Sequence, residues 1–330
     1  MPLEVEIPPG TNRGHGAIVI GLINNMPDAA LQATEGQFAA LLGAAAANRH
    51  HVRLCCSHLP EIARGPQAQA RIDDSYWPLD ALLARAPDAL IVTGTEPRSS
   101  DLEAEPYWKP LVRLLEWTRT HATPSIWSCL AAHVVTQALD GIRRRRLPEK
   151  RFGVFEHTLP TDHFLFEAVQ QPLVTPHSRW NELSVDALSA AGYILGSVSP
   201  ECGADCFIRD EPTLRICFQG HPEYEDTTLL LEYRRDVGRF LRGEQATWPQ
   251  VPSGYFSGEA LEILGDFRRH AEPLRDPADF ARFPTSLLAA GVTAQWRTGA
   301  VGVYRNWLEH VADRAARPRD RAFRRQDIRV

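Results

Sequence analysis

Three residues that lie far apart in this sequence could form a catalytic triad. The first is Cys129, which follows the apolar run Ser125–Ser128 and precedes the helix-like segment 130–133. On a turn from a strand into a helix, a cysteine lies at the carboxyl edge of a sheet. There the helix N–H groups and dipole favour a thiolate and a developing oxyanion. The glycines that usually flank such a turn are missing, and a cysteine taken alone is more often a small core residue.

The second and third residues are His221 and Glu223, which follow the apolar run 214–219. Residues two apart in an extended segment point to the same side, and Pro222 between them limits the backbone freedom. The carboxylate could therefore orient the imidazole. Cysteine, histidine and carboxylate together predict nucleophilic acyl chemistry, although His221 alone could equally cap a loop.

Short β-branched runs alternate with longer amphipathic stretches, which predicts a mostly parallel α/β sheet with helices on both faces. We expect strands at 17–23, 52–56, 89–93, 125–128, 192–198, 205–209 and 214–219, and helices at 29–47, 107–121 and 226–241. The last two strands are expected to pair. We expect residues 1–245 to form the catalytic core. Residues 246–330 are expected to form a carboxy-terminal helical extension packed on it, with a final helix near 301–314 and a mobile tail.

Composition excludes several classes of protein. The formal net charge of −5 gives no general attraction to nucleic acid or to an anionic membrane, and the early apolar stretch 17–23 is too short to span one. The run Arg143–Arg146 is interpreted as a solvated loop. Six scattered cysteines do not indicate a disulfide framework, and we expect no metal site, because Cys202 and Cys206 lack a second ligand pair. The chain is expected to be cytoplasmic.

Several short blocks together resemble the homoserine O-succinyltransferase family. The blocks are Asn25–Pro27, Thr34–Phe38, Val92–Gly94, Cys129, Lys150, Gly153–His157, Pro176–Arg179, Gly220–Tyr224 and Tyr255–Phe256. They occur in order over most of the chain. The resemblance implies a flavodoxin-like fold of the class I glutamine amidotransferase kind.

The resemblance also implies ping-pong acyl transfer, in which Cys129 attacks an acyl-CoA and His221, held by Glu223, activates the acceptor hydroxyl. It implies substrate binding by Lys150, Ser178, Arg179 and Arg235, and an oxyanion hole from the backbone of Leu130, Gly94 and Thr95. It further implies no permanently bound cofactor, acyl-CoA as co-substrate and a homodimer.

The chain departs from the family pattern at two informative places. His133 stands where family members usually carry a Gln, and Thr95–Arg98 occupies the loop whose last position separates acetyl from succinyl donors. Arg98 there could pair with a succinyl carboxylate, so we expect succinyl-CoA as donor and homoserine as acceptor. If Glu96 faces the pocket instead, acetyl-CoA becomes plausible. Serine also stays open as acceptor, because one methylene is worth only about 1–3 kcal/mol.

Two readings from other classes stay open at this point. A cysteine with a His-Pro-Glu segment also belongs to glutamine amidotransferase-like hydrolases. A non-catalytic binding protein that kept the fold is the second alternative.

Overall fold

The computed structural model describes residues 4–7, 17–47 and 49–316, and the expected tail after Ala316 lies outside them. The strands are β1 Glu4–Ile7, β2 Ile18–Ile23, β3 Val52–Ser57, β4 Ala89–Val92, β5 Ser125–Ser128, β6 Arg145–His157, β7 Leu173–Glu182, β8 Ile194–Ser199, β9 Gly203–Arg209 and β10 Arg215–Phe218. The helices are α1 Leu31–Ala46, α2 Pro66–Ser75, α3 Leu79–Ala84, α4 Trp108–Thr120, α5 Leu130–Asp140, α6 Val185–Ala190, α7 Thr228–Leu241, α8 Gly258–Leu274, α9 Thr285–Ala289 and α10 Arg297–Ala316.

The chain divides into two compact units. The first holds residues 1–126, 211–214 and 301–330, and the second holds residues 127–210 and 215–300. Each predicted strand and helix is found to within a few residues. The predicted boundary at residue 245, between a catalytic core and a carboxy-terminal extension, stays a prediction.

The first unit contains the strand order β1-β3-β2-β4, followed by the start of β5. Strand β2 runs parallel to both β3 and β4, whereas β1 is antiparallel to β3. Strands β2 and β4 are buried almost throughout. Burial on both faces explains why these strands read as continuous apolar runs rather than as alternating ones.

The second unit contains the end of β5 and then the order β10-β9-β8, with β9 antiparallel to both neighbours. The expected pairing of the last two strands is thus confirmed. A separate antiparallel hairpin of β6 and β7 also belongs to this unit. The predicted fold class, a mostly parallel sheet flanked by helices, is confirmed.

The hairpin of β6 and β7 was not expected from the sequence. Arg145 and Arg146, read as part of a solvated loop, begin β6 and pair with Glu182 and Asn181. They are nevertheless solvated, and Arg146 lies 4.3 Å above the ring of the half-exposed Trp180. The sequence did not predict β6 because its charged residues do not alternate regularly with apolar ones.

A glycine in β6 allows the following segment to pack closely. Gly153 has φ of 146°, and a Cβ there would lie 2.3 Å from the carbonyl oxygen of Ser253. Val154 N–H donates to that same oxygen at 2.8 Å. Any side chain at position 153 would therefore separate β6 from the segment around Ser253, which precedes α8.

Candidate active site

Cys129 forms the turn between β5 and α5. Its φ of 53° and ψ of −114° lie outside the regions that L-residues normally adopt. Holding a non-glycine residue in such a conformation costs about 1–3 kcal/mol, and this kind of strain is concentrated at functional sites. The thiol is free and partly exposed. The turn from β5 into α5 is therefore strained at Cys129, and neither neighbour of Cys129 is a glycine.

Two backbone groups define this turn. The Cys129 amide donates to the Phe218 carbonyl at 2.7 Å, which anchors the turn to the end of β10. Leu130 is the first residue of α5, so its N–H has no acceptor within the helix. The helix start thus leaves a donor beside the cysteine, and the predicted role of Leu130 in an oxyanion hole stays a prediction.

His221 and Glu223 lie three to five residues after β10 and are both buried. His221 Nδ1 and Glu223 Oε1 are 2.8 Å apart. The His221 amide donates to the Pro176 carbonyl at 2.8 Å, and its ring stacks on Tyr224 with centroids 4.4 Å apart. The imidazole is therefore fixed by a carboxylate, a backbone hydrogen bond and an aromatic ring.

The Cys129 thiol and the His221 ring share a side-chain hydrogen bond. Since Glu223 occupies Nδ1, the nitrogen that faces the thiol is Nε2. Burial alone lowers the pKa of His221, but the Glu223 charge and the hydrogen bonds to Cys129 and Glu223 outweigh it and raise this pKa well above its ordinary value. The site therefore favours an imidazole that holds a proton beside the sulfur.

Two carboxylates of α7 contact three of the predicted substrate-binding residues. Lys150 Nζ lies 3.2 Å from Asp236 Oδ2 and 3.6 Å from Glu232 Oε2. Ser178 Oγ donates to Glu232, and Arg235 Nε donates to Asp236 at 2.9 Å. Lys150, Ser178 and Arg235 are thus brought together, as their assignment to one substrate site requires.

Tyr224 connects this group to the histidine. Its hydroxyl donates to Glu232 Oε1 at 2.6 Å, while its ring stacks on His221. Glu232 and Asp236 were missed by sequence reasoning, and Tyr224 was noted only as the end of the block Gly220–Tyr224. The available signal was the i, i+4 spacing of the two acids, which places them on one face of α7.

Arg179 does not join the Lys150 group, by which we mean Lys150, Ser178, Glu232, Arg235 and Asp236. It is buried, with its Nε directed at His177 Nδ1, at 3.3 Å, and its terminal nitrogens at the carbonyls of Asn181 and Cys202. Burial lowers the pKa of Arg179 from its ordinary value. Its guanidinium is occupied by protein groups, and its predicted contact with substrate stays a prediction.

The loop that holds Gly94, Thr95 and Arg98 belongs to the first unit and follows β4. Gly94 is buried, whereas Arg98 is exposed. Glu105 Oε1 accepts hydrogen bonds from the backbone amides of Arg98 and Ser99, both at 2.5 Å. This buried carboxylate fixes the end of the loop and leaves the Arg98 side chain exposed.

His133 takes part in a buried hydrogen-bond network. Its Nε2 lies 3.1 Å from Gln219 Oε1, which also accepts from the Leu183 amide at 2.9 Å. Burial lowers the pKa of His133 to about 3, so the ring is neutral near pH 7 and Nε2 is the donor. The unusual residue at this position therefore has a structural partner.

One group of potential metal ligands exists within the described ranges. It consists of His157, His177 and Cys202, all buried. Cys206, considered with Cys202 in the sequence, is not part of it. Within those same ranges, no helix combines the length and apolar character needed to cross a membrane.

The sequence is similar to known proteins over most of its length. The sequence profile of the homoserine O-succinyltransferase family matches residues 11–317. The chain is 45% identical to the homoserine O-succinyltransferase of Rhodopseudomonas palustris over 295 residues, covering 89% of this chain and 88% of that protein. It is 42% identical to that of Methylorubrum extorquens over 297 residues, covering 90% and 88%.

A solved structure agrees with the fold. A glutamine amidotransferase from Methylobacillus flagellatus superposes with a TM-score of 0.52 at 18% identity, covering 89% of this chain and 94% of that one. That likeness concerns the fold alone, whereas the profile and the relatives extend over nearly the whole sequence. The chain belongs to the homoserine O-succinyltransferase family.

Proposed function

We propose that this enzyme transfers a succinyl group from succinyl-CoA to the hydroxyl of L-homoserine, in methionine biosynthesis, through an acyl-enzyme on Cys129. The observation that carries the proposal is the strained Cys129 turn hydrogen-bonded to the His221–Glu223 pair, in a chain of this family.

In the first half-reaction the Cys129 sulfur attacks the thioester carbonyl. The negative charge that develops on the carbonyl oxygen is stabilised by backbone N–H groups, for which Leu130 and the Gly94–Thr95 segment are our candidates. The bond from carbonyl carbon to CoA sulfur then breaks. His221 gives its proton to the departing CoA thiolate, which leaves a neutral imidazole and a thioester on Cys129.

In the second half-reaction the neutral imidazole accepts the proton of the acceptor hydroxyl. The hydroxyl oxygen attacks the acyl-enzyme carbonyl, and the Cys129 thiolate leaves. Glu223 keeps His221 in the tautomer whose Nε2 faces the reacting atoms and stabilises the protonated ring. Protons balance over the cycle, and the chemistry calls for no permanently bound cofactor.

The Lys150 group is our candidate for acceptor recognition. Glu232 and Asp236 provide negative charge for the ammonium of an amino acid, and the partly exposed Arg235 offers a guanidinium for its carboxylate. Arg179, buried among protein acceptors, is the weaker candidate for that carboxylate. Homoserine is the proposed acceptor from the family, with serine as the alternative that differs by one methylene.

Donor choice is assigned to the Arg98 loop. An exposed guanidinium on a backbone clamped by Glu105 can pair with the terminal carboxylate of a succinyl group, which acetyl lacks. Glu96 is exposed on the same loop and would repel that carboxylate. Acetyl-CoA is therefore the alternative donor. The proposal further includes a homodimer, which the family resemblance implies, and a cytoplasmic location.

The decisive experiment is intact-protein mass spectrometry. The chain is incubated separately with succinyl-CoA and acetyl-CoA, and homoserine or serine is then added. We expect a succinyl adduct that homoserine discharges, that is absent from Cys129→Ser and that is retained in Cys206→Ser, a control at a buried cysteine. No adduct from either donor would refute the proposal, and glutaminase activity would instead favour the amidotransferase-like alternative.

A further inference from the structure

Three elements of the second unit bring potential metal ligands together below the surface. His157 is the last residue of β6, His177 lies on β7, and Cys202 precedes β9. Each is at most 1% exposed. None of them has a role in the acyl-transfer chemistry proposed above.

Two of the three distances among the ligand atoms are those of a tetrahedral metal site, and the third is shorter. His157 Nε2 lies 3.1 Å from Cys202 Sγ and 3.3 Å from His177 Nε2, and Cys202 Sγ lies 3.7 Å from His177 Nε2. With Zn–N and Zn–S bonds of about 2.05 and 2.3 Å, a tetrahedron separates two nitrogens by about 3.3 Å and nitrogen from sulfur by about 3.6 Å. Two of the three separations match this tetrahedron, and the third, from His157 to Cys202, is about 0.5 Å shorter, so binding would move these two atoms apart.

Hydrogen bonds among these three residues alone do not pair each of their donors. Arg179 Nε donates to His177 Nδ1, so a neutral His177 carries its proton on Nε2. That N–H and the Cys202 thiol then both face the single lone pair of His157 Nε2, and the thiol has one further hydrogen bond, to Ser199. A cation at the common centre would instead accept a lone pair from each of the three atoms.

We propose that His157, His177 and Cys202 bind a divalent cation of the zinc class as a structural site, with a non-protein ligand at the fourth position. Histidine nitrogen and thiolate sulfur are the ligands that such ions prefer. Complete burial of the three residues fits a structural role, since bound substrate would not reach them.

Charge balance in this site follows from the neighbours. Binding releases one proton to solvent, from the Cys202 thiol, and moves the His177 proton from Nε2 to Nδ1, so that both histidines bind as neutral imidazoles. The Arg179 Nε–H, which donates to Nδ1 at 3.3 Å, then loses this acceptor, while the other Arg179 nitrogens keep the carbonyls of Asn181 and Cys202. The thiolate brings one negative charge to the ion, and Asp205, with Oδ1 3.7 Å from His177 Nε2, adds negative charge nearby.

The cluster lies directly beneath the segment that carries His221. The Gly220 amide donates to Asp205 Oδ1 at 2.9 Å. A Cβ on Gly220 would lie 2.9 Å from His177 Cε1 and 2.7 Å from Asp205 Oδ1. The proposed ion would thus hold β6, β7 and the start of β9 together, and these elements support the segment that carries His221.

The test uses the full chain, with any purification tag removed, and Co²⁺ as a spectroscopic probe alongside Zn²⁺. We expect one equivalent of Co²⁺ to produce thiolate-to-cobalt charge-transfer absorption and the visible bands of a tetrahedral site. Zn²⁺ should abolish both. The signal should persist in Cys129→Ala, which removes the nucleophile, and in Cys206→Ser, and it should be lost in Cys202→Ser and His157→Gln.

Thermal unfolding gives a second readout. Saturating Zn²⁺ should raise the melting temperature by about 5 °C in the wild type and in Cys206→Ser, and leave Cys202→Ser and His157→Gln unchanged. Circular dichroism identifies the variants that fold, and one folded ligand variant suffices. The proposal is overturned if the wild type gives neither absorption nor thermal shift, or if a folded ligand variant keeps both.

Discussion

The amide of Cys129 donates a 2.7 Å hydrogen bond to the carbonyl of Phe218, the last residue of β10. His221 follows Phe218 by three residues. Cys129 and His221 are therefore linked through one short backbone contact. Movement of either strand end would change the separation between sulfur and imidazole.

Strain at position 129 predicts that two variants without the thiol differ in their free energy of unfolding. We expect Cys129→Gly to be more stable than Cys129→Ala by about 1 kcal/mol or more, because glycine adopts φ of 53° and ψ of −114° without a Cβ clash. Denaturant unfolding of both variants measures the difference. Equal stability, or a more stable alanine variant, would show that this turn is not strained.

His133 predicts a specific pH dependence of stability. Its folded pKa of about 3 lies below its ordinary value of 6.5, so the unfolded chain binds the additional proton between these values. The wild type should therefore lose stability as pH falls through this window, by up to about 1.4 kcal/mol per pH unit from this residue.

The matched variant is His133→Gln, whose amide can also donate to Gln219 but does not titrate. Its unfolding free energy should fall less steeply between about pH 6 and pH 4 than that of the wild type. Parallel pH profiles for the two proteins would contradict the assignment of a neutral buried ring.

Glu232 is predicted to organise the acceptor site. Glu232→Gln removes the charge shared by Lys150, Ser178 and Tyr224, so KM for the amino acid should rise about tenfold or more while succinylation of Cys129 persists. Steady-state kinetics and the adduct mass spectrum separate these effects. The exposed Glu225→Gln is the control, and an unchanged KM in Glu232→Gln would exclude this role.

Arg98 is predicted to set donor preference. Arg98→Gly and Arg98→Glu should lower the ratio of kcat/KM for succinyl-CoA to that for acetyl-CoA, by about tenfold for the charge reversal. Arg113→Glu, a change at an exposed arginine on α4, is the control. A donor ratio that is the same in all four proteins would remove Arg98 from the specificity argument.

The sequence predicted the parallel strands well because each combines a buried apolar run with a following turn. It also predicted that Cys129 and His221 meet, since both follow strands at the same sheet edge. The hairpin of β6 and β7 was missed because its stabilising partners, such as Glu182 for Arg145, are distant in sequence. Periodicity alone carries no information about such pairs.

The same limit applies to the candidate site. Glu223 was recognised because it lies two residues from His221 in one segment. Glu232 and Asp236 on α7 could not be assigned to the site, because their role depends on contact with Lys150, which lies on β6. The grouping of His157, His177 and Cys202 likewise arises only when β6, β7 and the turn before β9 come together.

The irregularity in β6 has a consequence for how this site can vary. Between the pairs Arg146–Asn181 and Arg151–Arg179, β6 has four residues where β7 has only Trp180. Lys150 is one of the four. Residues can be inserted into or deleted from this irregular part of β6 without disturbing the strand pairing on either side. The position of the Lys150 ammonium can therefore change while the hairpin of β6 and β7 stays the same.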